Sequence, residues 1–221
     1  MKMKQFAVIG LGRFGSSLAR ELTNNGFEVL GVDRDEEAVS EMSEVLTHAI
    51  VADSTDEETL RSIGIRNFDC VIVAIGDDIQ ASIMTAILLK DLGVEMVVAK
   101  ALSVLHGKVL ERLGVDRIIY PERDMGIRVA HQLVNPNLLD YIELSKDYTI
   151  AEISAPKCLN GKTLEELNPR AKYGCSVVAI NKKDGVIIAP TATDVINERD
   201  VMVIIGTNKQ IESFEEELVG S

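Results

Sequence analysis

Apolar and polar positions change their spacing part-way along this chain. Over the first 134 residues, short runs of consecutive apolar residues alternate with segments whose apolar residues recur every three or four positions. The runs, near 5–10, 28–33, 48–52, 70–75, 96–100 and 117–120, predict strands, and the segments near 13–25, 35–46, 56–64, 79–92, 103–113 and 124–134 predict helices. Val71-Ile72-Val73-Ala74-Ile75 is apolar throughout, as a strand covered on both faces must be. Six strands alternating with helices predict an α/β fold, a doubly wound parallel sheet of the Rossmann type with strand order 3-2-1-4-5-6. Thr55 followed by Glu58 predicts a capping box for the third helix.

Asn135-Pro136-Asn137 punctuates the sixth helix, and the pattern then changes. Tyr148–Ala155 alternates polar and apolar, Thr163-Leu164-Glu165-Glu166 reads as a capped short helix, and Cys175–Asn181 and Val186–Ala189 flank the hairpin signal Lys182-Lys183-Asp184-Gly185. Val201–Gly206 reads as a buried strand and Asn208–Leu218 as an amphipathic helix. The expected organisation is a Rossmann domain over 3–123, a helix and linker over 124–137, and a small α+β domain over 138–221. A domain of that size is often stabilised by pairing with a copy of itself.

The first strand feeds Gly10-Leu11-Gly12-Arg13-Phe14-Gly15, and the second ends on Asp33. A strand, a glycine turn, a helix and a second strand ending in an acid form the unit that binds adenine nucleotides. Gly10 permits the tight turn, Gly12 lets a pyrophosphate approach the backbone, and Gly15 lets the helix lie close to the strand. The helix N-terminus then faces the phosphates, and Asp33 accepts from ribose hydroxyls. Arg13 stands in the first helical turn, where a cation opposes the helix dipole. It reads either as a solvated surface arginine or as one whose unfavourable placement a bound phosphate offsets.

Ligands of such sheets bind beyond the carboxyl ends of the strands, near the point where strand order reverses. The residues found there are Arg13 after strand 1, Asp33, Arg34 and Asp35 after strand 2, and Asp53 and Ser54 after strand 3. Gly76, Asp77 and Asp78 follow strand 4, Lys100 and Ala101 follow strand 5 with His106 one turn on, and Pro121 and Glu122 follow strand 6. Taken together they read as a ligand rim, with Asp53 on the adenine side and Lys100 suited to phosphate or carboxylate.

Composition narrows the function. The formal net charge of −12 argues against nucleic acid or an anionic membrane surface as a direct partner. No apolar run is long enough to span a bilayer and no secretory signal opens the chain, so a cytosolic protein is expected. Cys70, Cys158 and Cys175 are scattered without metal-ligand spacing and read as buried reduced thiols. The histidines His48, His106 and His131 all precede residue 138, so the C-terminal module offers none as an acid–base group, and His48 reads as structural. No Ser/His/Asp set or Cys/His pair is evident, and Tyr141, Tyr148 and Tyr173 lack a lysine at the spacing of short-chain reductases. The crevice therefore reads as regulatory, not enzymatic. The competing readings are an NAD-dependent oxidoreductase using Asp33 for the ribose diol and an NADH-sensing transcription regulator; the acidic charge and the lack of a helix-turn-helix signal disfavour the second.

Gly10-Leu11-Gly12-Arg13-Phe14-Gly15, Val32-Asp33, Ala52-Asp53-Ser54-Thr55, Val73-Ala74-Ile75-Gly76 and Pro121-Glu122-Arg123-Asp124-Met125-Gly126 resemble an RCK domain, the regulator of potassium conductance. The second module, with Asn168-Pro169-Arg170-Ala171-Lys172-Tyr173-Gly174, resembles the RCK C-terminal domain. Over its whole length the chain resembles the cytosolic gating subunits of the Ktr potassium-uptake system. The resemblance implies homodimers assembled into an octameric ring on the cytoplasmic face of the cell membrane, attached through an integral membrane potassium channel subunit. It implies ATP or ADP, with NAD(H) as an alternative, in the first domain, where nucleotide state sets channel activity. It also implies cyclic di-AMP in the second domain, where it inactivates transport. Carried over, Arg13 reaches phosphate at a boundary between subunits, Asp33 and Asp35 hold ribose, Asp53 and Ser54 hold adenine, and Ile75, Gly76, Asp77, Lys100, Ala101 and His106 line the crevice. Glu122 lies near the terminal phosphate and a divalent cation, Mg²⁺ or Ca²⁺. Leu164, Asn168, Arg170, Ala171, Cys175, Ser176 and Pro190 map the cyclic dinucleotide cleft.

Overall fold

Six parallel strands carry the first half of the chain. The computed structural model describes residues 4–135 and 137–219, and the chain divides after Glu122 into two compact units. In the first, β1 (Gln5–Ile9), α1 (Arg13–Asn24), β2 (Glu28–Asp33), α2 (Glu36–Ser43), β3 (His48–Val51), α3 (Glu57–Ser62), β4 (Cys70–Val73), α4 (Ile79–Asp91), β5 (Val97–Lys100), α5 (Val104–Arg112) and β6 (Arg117–Ile119) follow in strict alternation. The sheet order is β3-β2-β1-β4-β5-β6, as the alternation predicts. Phe6 pairs with Val29 on one side and Cys70 on the other, so strand order reverses at β1.

The period-two geometry of a strand sends neighbours to opposite faces. Ala7 and Ile9 join Val32, Val71, Val73, Leu60, Leu89 and Leu110 in one core, while Val8 joins Val29, Ile72, Leu11, Ala19, Val39 and Met42 in the other. Each layer is thus filled from its own set of helices, which is why the strands read as continuous apolar runs.

The start of α3 differs from expectation. Its cap is Asp56, whose carboxylate accepts from the Glu58 N–H at 3.2 Å, and not Thr55. The Thr55 hydroxyl and N–H are both donated to Asp53 Oδ1, at 2.7 and 2.8 Å, so the hydroxyl is already engaged in the preceding turn. The sixth helix, α6 (Pro121–Val134), also begins three residues earlier than its periodicity indicates. Proline at the first helical position gives up an N–H that has no intrahelical acceptor, so Pro121 starts the helix and Glu122 falls in its first turn. Of the Asn135-Pro136-Asn137 punctuation, Pro136 lies outside the described residues.

The second unit is built on an antiparallel sheet ordered β11-β10-β13-β8-β7. Its elements are β7 (Leu138–Glu143), β8 (Tyr148–Ser154), β9 (Lys162–Thr163), α7 (Leu164–Leu167), α8 (Pro169–Lys172), β10 (Ser176–Lys182), β11 (Gly185–Ile188), β12 (Val195–Ile196), β13 (Val201–Thr207) and α9 (Asn208–Val219). Lys182 pairs with Gly185, which makes Lys183-Asp184 a two-residue hairpin turn. The capping box on α7 is present in full: Thr163 Oγ1 accepts from Glu166 N while the Glu166 carboxylate accepts from Thr163 N. Ile153, Ile180, Met202, Ile204 and Phe214 form a closed core, with Tyr173 set edge-on to Phe214 at 5.3 Å.

The last helix also buries a carboxylate. Glu215 on α9 is 5% exposed and its Oε1 has no hydrogen-bond partner among the described residues. Burial, aided by the nearby Glu212 charge, pushes its pKa up to about 7. The folded chain therefore holds a proton there that the unfolded chain releases near the ordinary carboxylate value. Stability from this group is fully present below that value and is lost as pH rises through about 7. The melting temperature should fall between pH 5 and pH 8, and Glu215→Gln should flatten that fall; an unchanged slope in the variant would refute the assignment.

Candidate functional site

The carboxyl ends of β1, β2, β4 and β5 converge where strand order reverses. Gly10 leaves β1 at φ 95°, and a Cβ there would stand 2.9 Å from the Ala74 carbonyl carbon at the end of β4. A Cβ on Gly15 would overlap the Gly10 carbonyl oxygen. At Gly12 a Cβ would meet nothing within 4 Å, so the turn is closed by backbone on two sides and open on the third. Gly12 caps α1 without any side-chain hydrogen bond, and no acid stands in the helix's first turn. The free N–H groups of α1 and the opening above Gly12 form the kind of cradle that phosphate fills.

Asp33 comes to this turn as expected. Its Oδ2 accepts from Leu11 N at 2.5 Å and its Oδ1 from Asp35 N at 3.0 Å, which holds the acid against the glycine loop. Asp35 caps α2: its Oδ1 accepts from Glu37 N at 2.8 Å and Ala38 N at 3.4 Å. Asp53 is folded onto Thr55, whose hydroxyl hydrogen bond holds its carboxyl below the usual range. The Ser54 hydroxyl is buried against Thr85 Oγ1 at 2.8 Å, so it is turned into the protein. Arg34 reaches from the end of β2 to Asp77 (3.5 Å) and Asp78 (3.8 Å) beyond β4, passing over the end of the intervening β1. These side chains are largely exposed, and such pairs contribute about 0–1 kcal/mol, so this bridge opens readily.

The other side of the crevice is charged and buried. Lys100, at the end of β5, has an 8% exposed side chain; its Nζ is 2.5 Å from Glu122 Oε1 and 6.0 Å from the centroid of the Phe14 ring. Gly76 leaves room for it, since a Cβ there would come within 3.2 Å of Nζ. The Lys100 ammonium holds the Glu122 carboxyl below its usual range. Thus Phe14, Gly76, Lys100 and Glu122, called from four separate stretches of sequence, meet at one point. Ala101 is buried and donates its N–H to Ile119 O. Ile75 is half-buried against the first unit's core. His106 is 3% exposed; its Nδ1 accepts from Leu102 N at 3.3 Å, its Nε2 has no partner among the described residues, and burial pushes its pKa down. With Nδ1 accepting, Nε2 carries the imidazole proton and finds no acceptor among the described residues. Arg13, at the first position of α1, is exposed and makes no ion pair among the described residues.

A divalent cation here would meet the Glu122 carboxylate, and the described residues hold no group of three or more His, Cys, Asp or Glu side chains that could hold a metal ion by themselves. That fits a cation whose remaining oxygens come from phosphate and water, the usual arrangement for Mg²⁺ beside polyphosphates.

In the second unit Arg170 Nε donates to Ser176 Oγ at 3.3 Å, and the Ala189 N–H donates to Val178 O, which carries Pro190 toward the same end of β10. Asn168 adopts φ 47° where α7 passes into α8. Leu164 and Cys175 are core residues, and Cys175 Sγ points to Pro169 O. Asn168, Arg170 and Ala171 are exposed, Ser176 and Pro190 are half-buried, and Leu164 and Cys175 are buried. The sequence reading missed the Lys100–Glu122 pair, which only the β5–β6 pairing brings together.

Fold and crevice define a class: a Rossmann-type domain with its cradle at the switch point, followed by a small antiparallel α+β domain. The family models for the TrkA-N domain and the TrkA-C domain match residues 6–121 and 148–219. Ktr system potassium uptake proteins C and A of Bacillus subtilis (strain 168) are each 49% identical, over 216 and 217 residues, with 98% of both chains covered in each case. The corresponding protein A of Vibrio alginolyticus is 37% identical over 94% of each chain. A solved GsuK RCK domain shares the fold over 100% of this chain and 48% of its own, at 24% identity and a TM-score of 0.54. The chain belongs to the TrkA-N/TrkA-C (RCK) family that includes the Ktr system potassium uptake proteins. No helix among the described residues is long and apolar enough to cross a membrane.

Proposed function

We propose that this chain is a non-enzymatic, nucleotide-gated regulatory subunit of a Ktr-type potassium transporter, acting at the cytoplasmic face of an integral membrane channel subunit. The observation that carries the reading is the meeting of the open glycine cradle with the buried cation Lys100, one polar wall of which is Glu122. Such a crevice suits ATP or ADP: adenosine lies toward Asp33, and the terminal phosphate lies toward Lys100 and a divalent cation on Glu122. NAD(H) is the runner-up occupant, supported by a GsuK channel solved bound to NAD. In the second unit, Arg170 and Ser176 form a polar edge suited to one phosphate of cyclic di-AMP, which inactivates transport in this reading.

In this reading gating goes with assembly, and α6 is the proposed dimer element. None of its residues is buried, although it carries Met125, Ile127, Val129, Leu133 and Val134, exposed at 41–80%. Arg128 bonds to Asp140, and His131 lies against Tyr141 at 5.1 Å, which fixes one side of the helix and leaves the apolar surface free. Dimers through α6 then close into an octameric ring. Light scattering should give a ring-sized mass in ATP. Ile127→Glu combined with Val134→Glu should reduce the mass by at least half; a small species indifferent to ATP in the wild type would instead favour the oxidoreductase reading.

A further inference from the structure

We propose that the Lys100–Glu122 ion pair is a built-in competitor for phosphate, which makes the crevice selective for a polyphosphate that arrives with its divalent cation over the bare polyanion. The proposal rests on the reading of the crevice as a nucleotide site and adds a preference among forms of the nucleotide.

The argument begins with Lys100. Its side chain is 8% exposed, and the ion pair with Glu122 is the one that the described residues show for it. The Phe14 ring, 6.0 Å from Nζ, is the other group that favours the charge. A phosphate seeking this ammonium finds a carboxylate oxygen already 2.5 Å from it. Glu122, by contrast, is 67% exposed and sits in the first turn of α6, free to rotate toward water. The pair is therefore asymmetric: the lysine is fixed and the glutamate is the moving partner.

Two approaches of a ligand differ sharply. A bare polyphosphate displaces Glu122 from Nζ and then faces the displaced carboxylate across a few ångströms, two anions beside one buried cation. A polyphosphate carrying a hard divalent cation gives the displaced carboxylate an oxygen-ligand position to occupy, so the exchange conserves charge pairing throughout. The ion pair thus penalises the first ligand and not the second. It also supplies a mechanical link: whichever state Glu122 adopts, it belongs to α6, so its release from Lys100 changes the restraint on the start of that helix.

The test is nucleotide titration by calorimetry of the full chain, wild type against Glu122→Gln, in excess EDTA and in excess Mg²⁺. Glutamine keeps the shape and removes the charge. The wild type should bind ATP at least tenfold more weakly in EDTA than in Mg²⁺. Glu122→Gln should bind ATP in EDTA at least tenfold more tightly than the wild type does, and should respond little to Mg²⁺. A group that merely positioned Lys100, or merely ligated the cation, would leave EDTA affinity unchanged or lowered on substitution, and either result overturns the proposal. Absence of ATP binding in both proteins under both conditions would overturn the nucleotide reading itself, and the competitor with it.

Discussion

Gly15→Ala should destabilise the first unit by at least about 3 kcal/mol and abolish the thermal shift that ATP produces, whereas Gly12→Ala should leave folding intact and weaken only binding. The two glycines stand three residues apart in one turn, and the contrast follows from what a methyl group would meet. At Gly15 the Cβ would overlap the Gly10 carbonyl oxygen and crowd the Ala74 side chain at 3.1 Å. The obstacle is backbone, which cannot rotate away, so α1 must move off β1 and open the core around Ala19 and Val8. Overpacking typically costs about 1–3 kcal/mol, and a clash with main chain lies at or beyond the top of that range. At Gly12 the Cβ would meet nothing within 4 Å. It would project into the space proposed for phosphate, so it should obstruct the ligand alone. Chemical denaturation of both variants and thermal shift with ATP test the pair. A Gly15→Ala chain with wild-type stability, or a Gly12→Ala chain with wild-type ATP affinity, would remove the cradle from the account.

Much of the first unit was legible because parallel strands covered on both faces leave a coarse signal. Val71–Val73 can be nothing but apolar when helices lie on both sides, and the intervening helices supply the period change. Strand order followed from the alternation of six strands with helices. What escaped was finer and had local competition as its cause. Thr55 and Asp56 are adjacent candidates for the same cap, and the choice between them depended on Asp53 engaging the Thr55 hydroxyl. Pro121 carries a helix-start signal, but it comes so soon after the end of β6 that the same position also reads as a strand-end loop. In the second unit β7 was not read, since the register shift between Leu138 and Asp140 breaks its alternation and it lies at a sheet edge. β9 and β12, two residues each, are too short to leave any pattern.

The candidate site was legible in kind and not in geometry. The glycine motif pointed to Gly12 and Asp33 and the strand ends to Lys100 and Glu122, but neither showed that Lys100 and Glu122 pair with each other, because the contact spans 22 positions and depends on β5–β6 register. Nor did residue type reveal that Asp35 is occupied as a cap and Ser54 is turned inward to Thr85. Polar residues beyond strand ends serve the fold as readily as a ligand, and only their hydrogen bonds separate the two uses.

Arg13→Ala should leave ADP affinity within about twofold of wild type, weaken ATP by about 10- to 100-fold, and uncouple ATP from transport. Adenosine contacts are common to both nucleotides, so they supply no gating signal; a ligand shifts an equilibrium only through its differential affinity for the two states. The differential has to come from groups that meet the terminal phosphate. Lys100 lies at the inner end of the crevice with its charge already balanced by Glu122. Arg13 is the contrary case: an exposed cation at the first position of α1, with no acid in that turn and no ion pair among the described residues. Its charge opposes the helix dipole at a cost of about 0.3–1 kcal/mol, which a third phosphate would reverse. An arginine also spans two oxygens at once, and charge-assisted hydrogen bonds of that kind contribute about 1.5–3 kcal/mol, the source of the expected factor. Placed at the surface, the guanidinium is free to reach the phosphate of a neighbouring copy in the proposed ring, so that ATP and not ADP ties two subunits together. Calorimetric titrations of the variant with ATP and ADP in Mg²⁺, set beside potassium flux through the reconstituted transporter, decide the point. Equal weakening of both nucleotides would make Arg13 a general phosphate anchor, and discrimination would then have to reside in Lys100 and Glu122 alone.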